Sequence, residues 1–447
     1  MTGSLPDGLI DLIAPYLGRQ RWYAGDPPEP GSVQVERARE LWVAEGDGPQ
    51  LWQAIVAIAD VHYQLLIGSR PVVDRADFLH GREDAVLAPL DANVFYDATL
   101  DSELARILLE VASDGAQTAT FARPITAEQS NTSLVFDDRL VLKIFRRLHP
   151  GRNPDVEVTA ALAAAGFEHV AAPLLAWRDD PYDLAFGQQY LAGGSEGWAL
   201  ALTSLRDLYN STAAHPADTG GDFAAESGRL GRMTAEMHLA LAEAFGSVRS
   251  PEVVAAWRDL VEGLVTRLGA ATEVAGRDLM ATAAPLLARL RAVDDPGPAI
   301  RVHGDYHLGQ VMQTDAGWYV LDFEGEPSKP LGERTARCSP LKDISSMLRS
   351  FDYAARYALT ERLADEQAQL EPMAGAWEAH NRQAFLEGYR DVKGIGALLA
   401  GPESNPAVMI AYELDKALYE LDYERAHRPE WVPLPLGAIQ RLVDGGS

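Results

Sequence analysis

Arg301-Val-His-Gly-Asp-Tyr-His-Leu-Gly-Gln310, followed by Trp318-Tyr-Val-Leu-Asp-Phe-Glu324, decides how this chain is read. The second piece reads as an apolar strand that delivers Asp322 and Glu324 at its end. Residues i and i+2 of a strand share a face, so both carboxylates would point at one ion. Hard oxygen donors of this kind suit Mg²⁺, which keeps several waters and is often shared with substrate phosphates. Asp305 and Gln310 stand in a loop between the two pieces. Their spacing lets a carboxylate face an acceptor hydroxyl while an amide oxygen reaches a metal. A base, an amide ligand and a strand-end metal carboxylate together form the constellation that phosphoryl transfer to an alcohol requires. The bland alternative is a buried loop Asp that caps its own backbone. It does not account for so many agreeing positions.

Outward from this stretch the texture is helical. Ala-rich amphipathic runs occupy 199–209, 224–245, 251–268 and 279–293 before it, and 342–357, 373–390 and 406–425 after it. Upstream, Phe121–Ile125, Ser133–Phe136 and Leu140–Phe145 read as strands, with Asp137-Asp138 as a hairpin turn. A helix follows over 154–166, with Pro at its start and Gly at its end. Strands are expected at 172–177 and 184–191. Residues 1–110 read as a small mixed module. It has a helix at 9–17, β-type runs at 34–44 and 51–68, and an amphipathic helix at 101–113. No chemistry is visible in it.

His303-Gly-Asp305, Gln310 and Asp322-Phe-Glu324 resemble the catalytic and metal loops of the aminoglycoside-phosphotransferase and choline-kinase branch of the protein-kinase-like fold. That family typically has Asn where Gln310 stands. An amide oxygen survives the change, on a side chain one methylene longer. The resemblance implies Asp305 as the catalytic carboxylate, with Asp322 and Gln310 as metal ligands and Glu324 as a further candidate. It also implies an N-terminal lobe that binds ATP. Lys143 lies in the strand Val141-Leu-Lys-Ile-Phe145. A lone strand Lys is commonly an exposed edge residue. The resemblance instead places it on the phosphates, held by Glu157 of the following helix, with Asp155 nearby. Glu128-Gln-Ser-Asn-Thr-Ser133 falls where a phosphate-covering loop would lie, offering Gln129, Ser130, Asn131, Thr132 and Ser133. By itself such a cluster is also a plain turn. Phe186–Leu191 falls at the interlobe hinge, which would bring Gln189 and Leu191 near adenine. No G-x-x-x-x-G-K-[ST] is present, so a P-loop enzyme is not expected.

The likeness extends further. Arg19-Gln-Arg-Trp-Tyr-Ala-Gly25, Gly194-Ser-Glu-Gly-Trp198, Asp322-Phe-Glu-Gly-Glu-Pro327, Leu348-Arg-Ser-Phe-Asp-Tyr353 and Glu413-Leu-Asp-Lys-Ala-Leu-Tyr-Glu420 are similar to the bacterial maltokinases. The implied fold is α+β: a two-lobed kinase-like structure with an extra N-terminal cap over 1–112, a β-rich N-lobe over 113–197 and a mainly helical C-lobe over 198–447. The implied reaction is ATP- and Mg²⁺-dependent phosphorylation of maltose at its anomeric hydroxyl. Its product, maltose 1-phosphate, would serve a route from trehalose to α-glucan, with trehalose synthase as a functional partner. Glucosamine kinase and aminoglycoside kinase are the neighbouring alternatives. An inactive kinase-like binding protein is the alternative of another class, and the presence of Lys143, Asp305 and Asp322 speaks against it.

The C-terminal run from Tyr412 to Glu424 makes sense as a sugar site, because sugars bind by ring faces on aromatics and by polar groups on their hydroxyls. Tyr419, Glu420 and Trp431 are the candidates, with Asp422 as a further acceptor. Tyr412 and Tyr423 are expected in the core. His303 and His307 flank Asp305 and complete the substrate set. A bracing role is open to His303, and His307 is equally placed to bond the substrate or Asp322. Arg349 and Asp352 are expected as structural ion pairs beneath the site.

The whole chain is 447 residues, 47% hydrophobic and 23% charged, which are ordinary globular values. Its 39 basic and 65 acidic residues give a net charge of −26. That balance opposes nucleic-acid binding, which needs a basic surface, and docking on anionic lipid. One cysteine, Cys338, excludes an intramolecular disulfide and a Cys-cluster zinc site. The N-terminus lacks the basic start and unbroken apolar stretch of a signal peptide, and no run is long enough to span a membrane. A cytoplasmic protein is expected.

Overall fold

The computed structural model describes residues 5–445 apart from 24, 30, 47, 73–76, 126–130, 213–214, 328 and 403. The chain is α+β and divides into two compact units: Met1–Glu157 with Ala171–Ala192, and Val158–Val170 with Gly193–Ser447. Among the described residues no helix is long and apolar enough to cross a membrane.

The first unit holds two antiparallel sheets. Helix α1 (Ile10–Leu17) precedes β1 (Gln34–Val43), β2 (Gln50–Ile58), β3 (Val61–Pro71), β4 (Val86–Leu90) and β5 (Asn93–Asp97). These pair in the order β1-β2-β3-β5-β4. The apolar run expected as one strand over 51–68 is therefore a hairpin. The chain reverses at Ala59, which takes a left-handed φ of 51°. The run hides its turn because both faces of the sheet are covered, and a doubly buried strand loses the polar alternation that would mark its ends. Trp52, Ala54 and Val56 face Leu9, Ile13 and Leu17. Leu51 and Ile55 face the other way, toward Leu104, Leu108 and Leu109 of α2 (Ser102–Ala112).

The second sheet follows, built from β6 (Ala122–Ile125), β7 (Asn131–Phe136), β8 (Leu140–Phe145), β10 (Pro173–Asp179) and β11 (Tyr182–Gln189) in the order β10-β11-β8-β7-β6. The short strand β9 (Arg147–Leu148) continues from β8 to pair with β3 of the first sheet. Buried polar groups also join the sheets. The Gln64 amide donates to the carbonyls of Phe145 (3.1 Å) and Leu184 (2.9 Å). Arg146, 1% exposed, bonds Asp97 at 2.6 Å and the Thr132 hydroxyl at 2.8 Å, with its guanidinium over the Trp22 ring. Helix α3 (Pro154–Ala164) opens in this unit, with Asn153 Oδ1 accepting from the Asp155 N–H at 2.8 Å.

The second unit is mainly helical. It contains β12 (Ser195–Glu196), α4 (Gly197–Tyr209), α5 (Ala224–Phe245), β13 (Ser247–Val248), α6 (Pro251–Ala275), α7 (Leu279–Arg291), β14 (Ala299–Ile300), β15 (Val311–Thr314) and β16 (Gly317–Val320). Then come α8 (Leu331–Arg334), α9 (Leu341–Thr360), α10 (Ala364–Arg390), α11 (Asn405–His427) and α12 (Pro433–Gly445). Its core is one continuous cluster, in which the almost wholly buried α9 is central. Helices α5 and α10 meet backbone to backbone. A Cβ on Gly231 would lie 2.0 Å from the Phe385 carbonyl oxygen, and one on Gly388 would lie 2.1 Å from that of Gly228. Helix α12 goes unseen in the sequence reading. Its Pro-Leu-Pro-Leu-Gly opening resembles a loop, yet prolines in a first turn remove no needed N–H.

Candidate active site

The loop after β14 is fixed from beneath. The Asp343 carboxylate, in the first turn of α9, accepts the N–H groups of His303 (2.8 Å) and Gly304 (2.9 Å), and His238 Nε2 lies 3.2 Å away. Asp343 is fully buried. Burial pushes its carboxyl up, but these bonds and the histidine outweigh that and hold it below the ordinary range. The Leu308 N–H donates to the Ser350 hydroxyl at 3.1 Å, so α9 secures the loop at two points.

On this platform stands Asp305. Lys416 of α11 donates to its Oδ1 at 2.8 Å, and His307 Nε2 lies 3.9 Å from its Oδ2. Burial raises the Asp305 carboxyl, but Lys416, then His307 and His303, overcome this and hold it well below the usual carboxylate range. It is therefore ionised at neutral pH. His307 Nδ1 accepts the Gly309 N–H at 3.0 Å, which leaves its proton on Nε2. Burial, only partly offset by Asp305, pushes this imidazole down to about 4, so it is a neutral donor at pH 7.

His303 does not join the substrate groups and corrects that expectation. It is 1% exposed, its Nε2 bonds the Leu321 carbonyl at 2.8 Å, and its ring packs on Phe323 and Tyr306. Its role is to brace the loop.

The strand expected to carry Asp322 and Glu324 stops earlier, at Val320. Asp322 instead has a left-handed φ of 60°. Strand alternation therefore does not align the two carboxylates; the turn beyond Asp322 does, and an oxygen of each lies within 4.8 Å of the other. The Gln310 amide nitrogen faces Asp322 Oδ2 at 3.4 Å. Two close carboxylates with a neighbouring amide make an all-oxygen donor set once that amide turns over. Such a set fits Mg²⁺.

Beside Asp305 opens a cavity of about 410 Å³ lined by His307, Lys416, Tyr419, Glu420 and Trp431, among others. Trp198, Tyr353, Tyr357 and Tyr423 supply further rings, and Glu196 and Glu424 further carboxylates. Tyr423 thus lines the cavity and is not core, whereas Tyr412 packs against Trp257 as expected. Asp422 is exposed and is not part of the lining, since helix positions two apart do not share a face. Trp431 sits in a short turn between α11 and α12, against Tyr357 (5.0 Å between centroids) and under the Arg428 guanidinium (4.2 Å). Glu420 Oε2 accepts from Arg349 at 2.5 Å, and Arg349 also pairs with Asp352. The Arg349–Asp352 pair is thus structural, and it reaches the cavity through Glu420. Lys416 and Asp343 were assigned no role from sequence.

In the first unit, Lys143 is central in β8, opposite Ser133 of β7 and Phe186 of β11. Its Nζ pairs with Asp155 Oδ2 at 3.1 Å, with both side chains buried. Glu157 follows one turn into α3 and is half-buried. The phosphate-loop candidates divide. Gln129 and Ser130 lie outside the described residues, whereas Asn131, Thr132 and Ser133 are strand, not loop. The Thr132 hydroxyl accepts from Arg146 Nε at 2.8 Å, and Ser133 is 1% exposed, opposite Lys143. At the expected adenine site, the Gln189 N–H already donates to the Ala172 carbonyl at 2.9 Å and is not available to a base. Leu191 lies just beyond β11, half-buried.

Residues 122–366 match the family described as phosphotransferase enzyme family (APH). A glucosamine kinase of Mycolicibacterium smegmatis is 29% identical over 342 residues, covering 74% of this chain and 82% of its own. One from Streptacidiphilus jiangxiensis is 30% identical over 332 residues, covering 72% and 73%. A solved glucosamine kinase in complex with glucosamine, ADP and inorganic phosphate superposes with a TM-score of 0.68 at 24% identity, over 99% of this chain and 100% of that one.

Proposed function

The chain belongs to the phosphotransferase enzyme family, and from that premise we propose that it is an ATP- and Mg²⁺-dependent sugar kinase whose acceptor is glucosamine. The observation that carries the reading is the cavity in which a neutral His307 and the Lys416 that holds an ionised Asp305 stand with Tyr419, Trp431 and the carboxylates of Glu420 and Glu424. Rings offer a sugar its apolar faces, and carboxylates accept from hydroxyls and from an ammonium. Asp305 would accept or orient the proton of the reacting hydroxyl. Phosphoryl transfer asks little base strength of that group, so a strongly acidic carboxyl is no handicap. Asp322, Glu324 and Gln310 would hold Mg²⁺, which would neutralise charge on the phosphates. Lys143 would supply a further positive charge to them.

The sequence resemblance puts maltose first. The relatives named above are glucosamine kinases, and that moves the proposal to glucosamine. A trehalose synthase partnership depends on maltose and is not part of it. The test is ADP release with ATP and Mg²⁺ against glucosamine, maltose, glucose and kanamycin, with phosphorus NMR of the product. Turnover that depends on glucosamine supports the proposal. Turnover with maltose and an anomeric phosphate restores the first expectation, and the absence of transfer to any sugar rejects both.

A further inference from the structure

We propose that Lys416 is a positioning residue for the proposed reaction: it fixes one oxygen of Asp305 so that the other faces the acceptor hydroxyl. The inference rests on the reading of Asp305 as the carboxylate that meets the acceptor.

Three observations carry it. The first is that the backbone around Asp305 is held on both sides. Asp343 takes the N–H groups of the two preceding residues, and Ser350 takes that of Leu308. Rotation of the Asp305 side chain is then what a partner can fix. The second is that the carboxylate is not symmetric. Lys416 Nζ holds Oδ1 at 2.8 Å, whereas Oδ2 has a neutral imidazole N–H at 3.9 Å, beyond hydrogen-bond reach. Oδ2 is the oxygen beside His307, which lines the cavity together with Lys416. The third is that the ammonium is itself fixed. Both side chains are only 16% exposed, Nζ lies 4.8 Å from the Tyr419 ring centre, and the neighbouring Ala417 and Leu418 are buried in the core. A cation on a flexible surface stem could not define a rotamer, but this one is clamped at the ring, at the helix and at the carboxylate.

A carboxylate held by one oxygen offers the other along a single direction. Misplacing a reacting group by about 1 Å can cost roughly 100-fold in rate. Lys416 is not required to touch the sugar or the phosphate for this effect. A purely architectural lysine, one that only ties α11 to the loop, would leave a different signature: lost stability without selective loss of kcat.

The experiment compares wild type, K416A and K416R in steady-state turnover of glucosamine, with thermal midpoints as a folding control and ethylammonium added to K416A. For K416A, kcat should fall about 10- to 100-fold while KM changes less than about threefold. Saturable rescue by ethylammonium and partial recovery in K416R are expected. K416A with wild-type kcat overturns the inference. So does a folded K416A whose loss neither ethylammonium nor Arg repairs. If K416A fails to fold, K416Q, similar in length and uncharged, carries the same comparison. Wild type that phosphorylates no sugar rejects the proposed function itself. Wild type that turns over while K416A is unimpaired rejects only the role of Lys416.

Discussion

A buried carboxylate that accepts from two consecutive backbone N–H groups is difficult to replace. In Asp343→Asn one oxygen becomes an amide nitrogen, so a donor at His303 or Gly304 is left facing another donor. Stability should fall by about 1–3 kcal/mol per stranded donor, read as a lower urea midpoint. The Asp343 pKa is lower folded than unfolded. Its contribution is therefore complete above the unfolded value, about 4, and is lost as pH falls through the folded one. The gap between wild type and Asp343→Asn should be full at pH 7 and shrink below about pH 4. Asp322→Asn should abolish turnover through loss of the metal while leaving the urea midpoint close to wild type. Near-normal activity would sink the metal assignment. At this scale the loop residues were legible because they are neighbours in sequence. Lys416 and Asp343 were not, since they lie 111 residues from Asp305 and 40 from His303. The available signal was slight: a lysine between the buried Leu414 and Leu418 in a helix.

Helices α5 and α10 show what the next scale adds. The apolar periodicity of 224–245 predicts α5 residue for residue, but not that its glycines are contact points. Gly231→Ala or Gly388→Ala would drive a methyl into a carbonyl oxygen and force the helices apart. Each should destabilise by about 1–3 kcal/mol. Gly263→Ala, where nothing lies within 4 Å, should be neutral or stabilise by up to about 1 kcal/mol. Chemical denaturation of the three variants checks the contrast. Elements were illegible where the usual punctuation misleads. A doubly covered hairpin hides its turn at Ala59, prolines disguise the start of α12, and β16 ends before the carboxylates it was expected to carry.

Over the whole molecule, the N-terminal module is bonded into the second sheet through Arg146 and Gln64. A fragment beginning at residue 113 would lose Asp97 and the Trp22 ring from Arg146 and would bare the apolar face of the second sheet that Leu104, Leu108 and Leu109 cover. Exposed apolar surface costs roughly 25 cal/mol per Å². The fragment should be insoluble or bind a hydrophobic dye, whereas the full chain should do neither. A fragment that melts cooperatively would show the module to be dispensable. The chain also changes units three times, at Glu157, Val170 and Ala192. Val158 and Leu162 of α3 belong to a core in which the members after Val170 resume only at Ala201 and run on to Val443. At about 5–20 residues per second, a ribosome leaves those apolar side chains waiting from seconds to the better part of a minute for their partners. The second core cannot close while its own C-terminal helices are still in the exit tunnel. Nascent-chain chaperones, and the pace of translation over the stretch that encodes α9 to α12, should therefore govern how much of this protein is recovered folded.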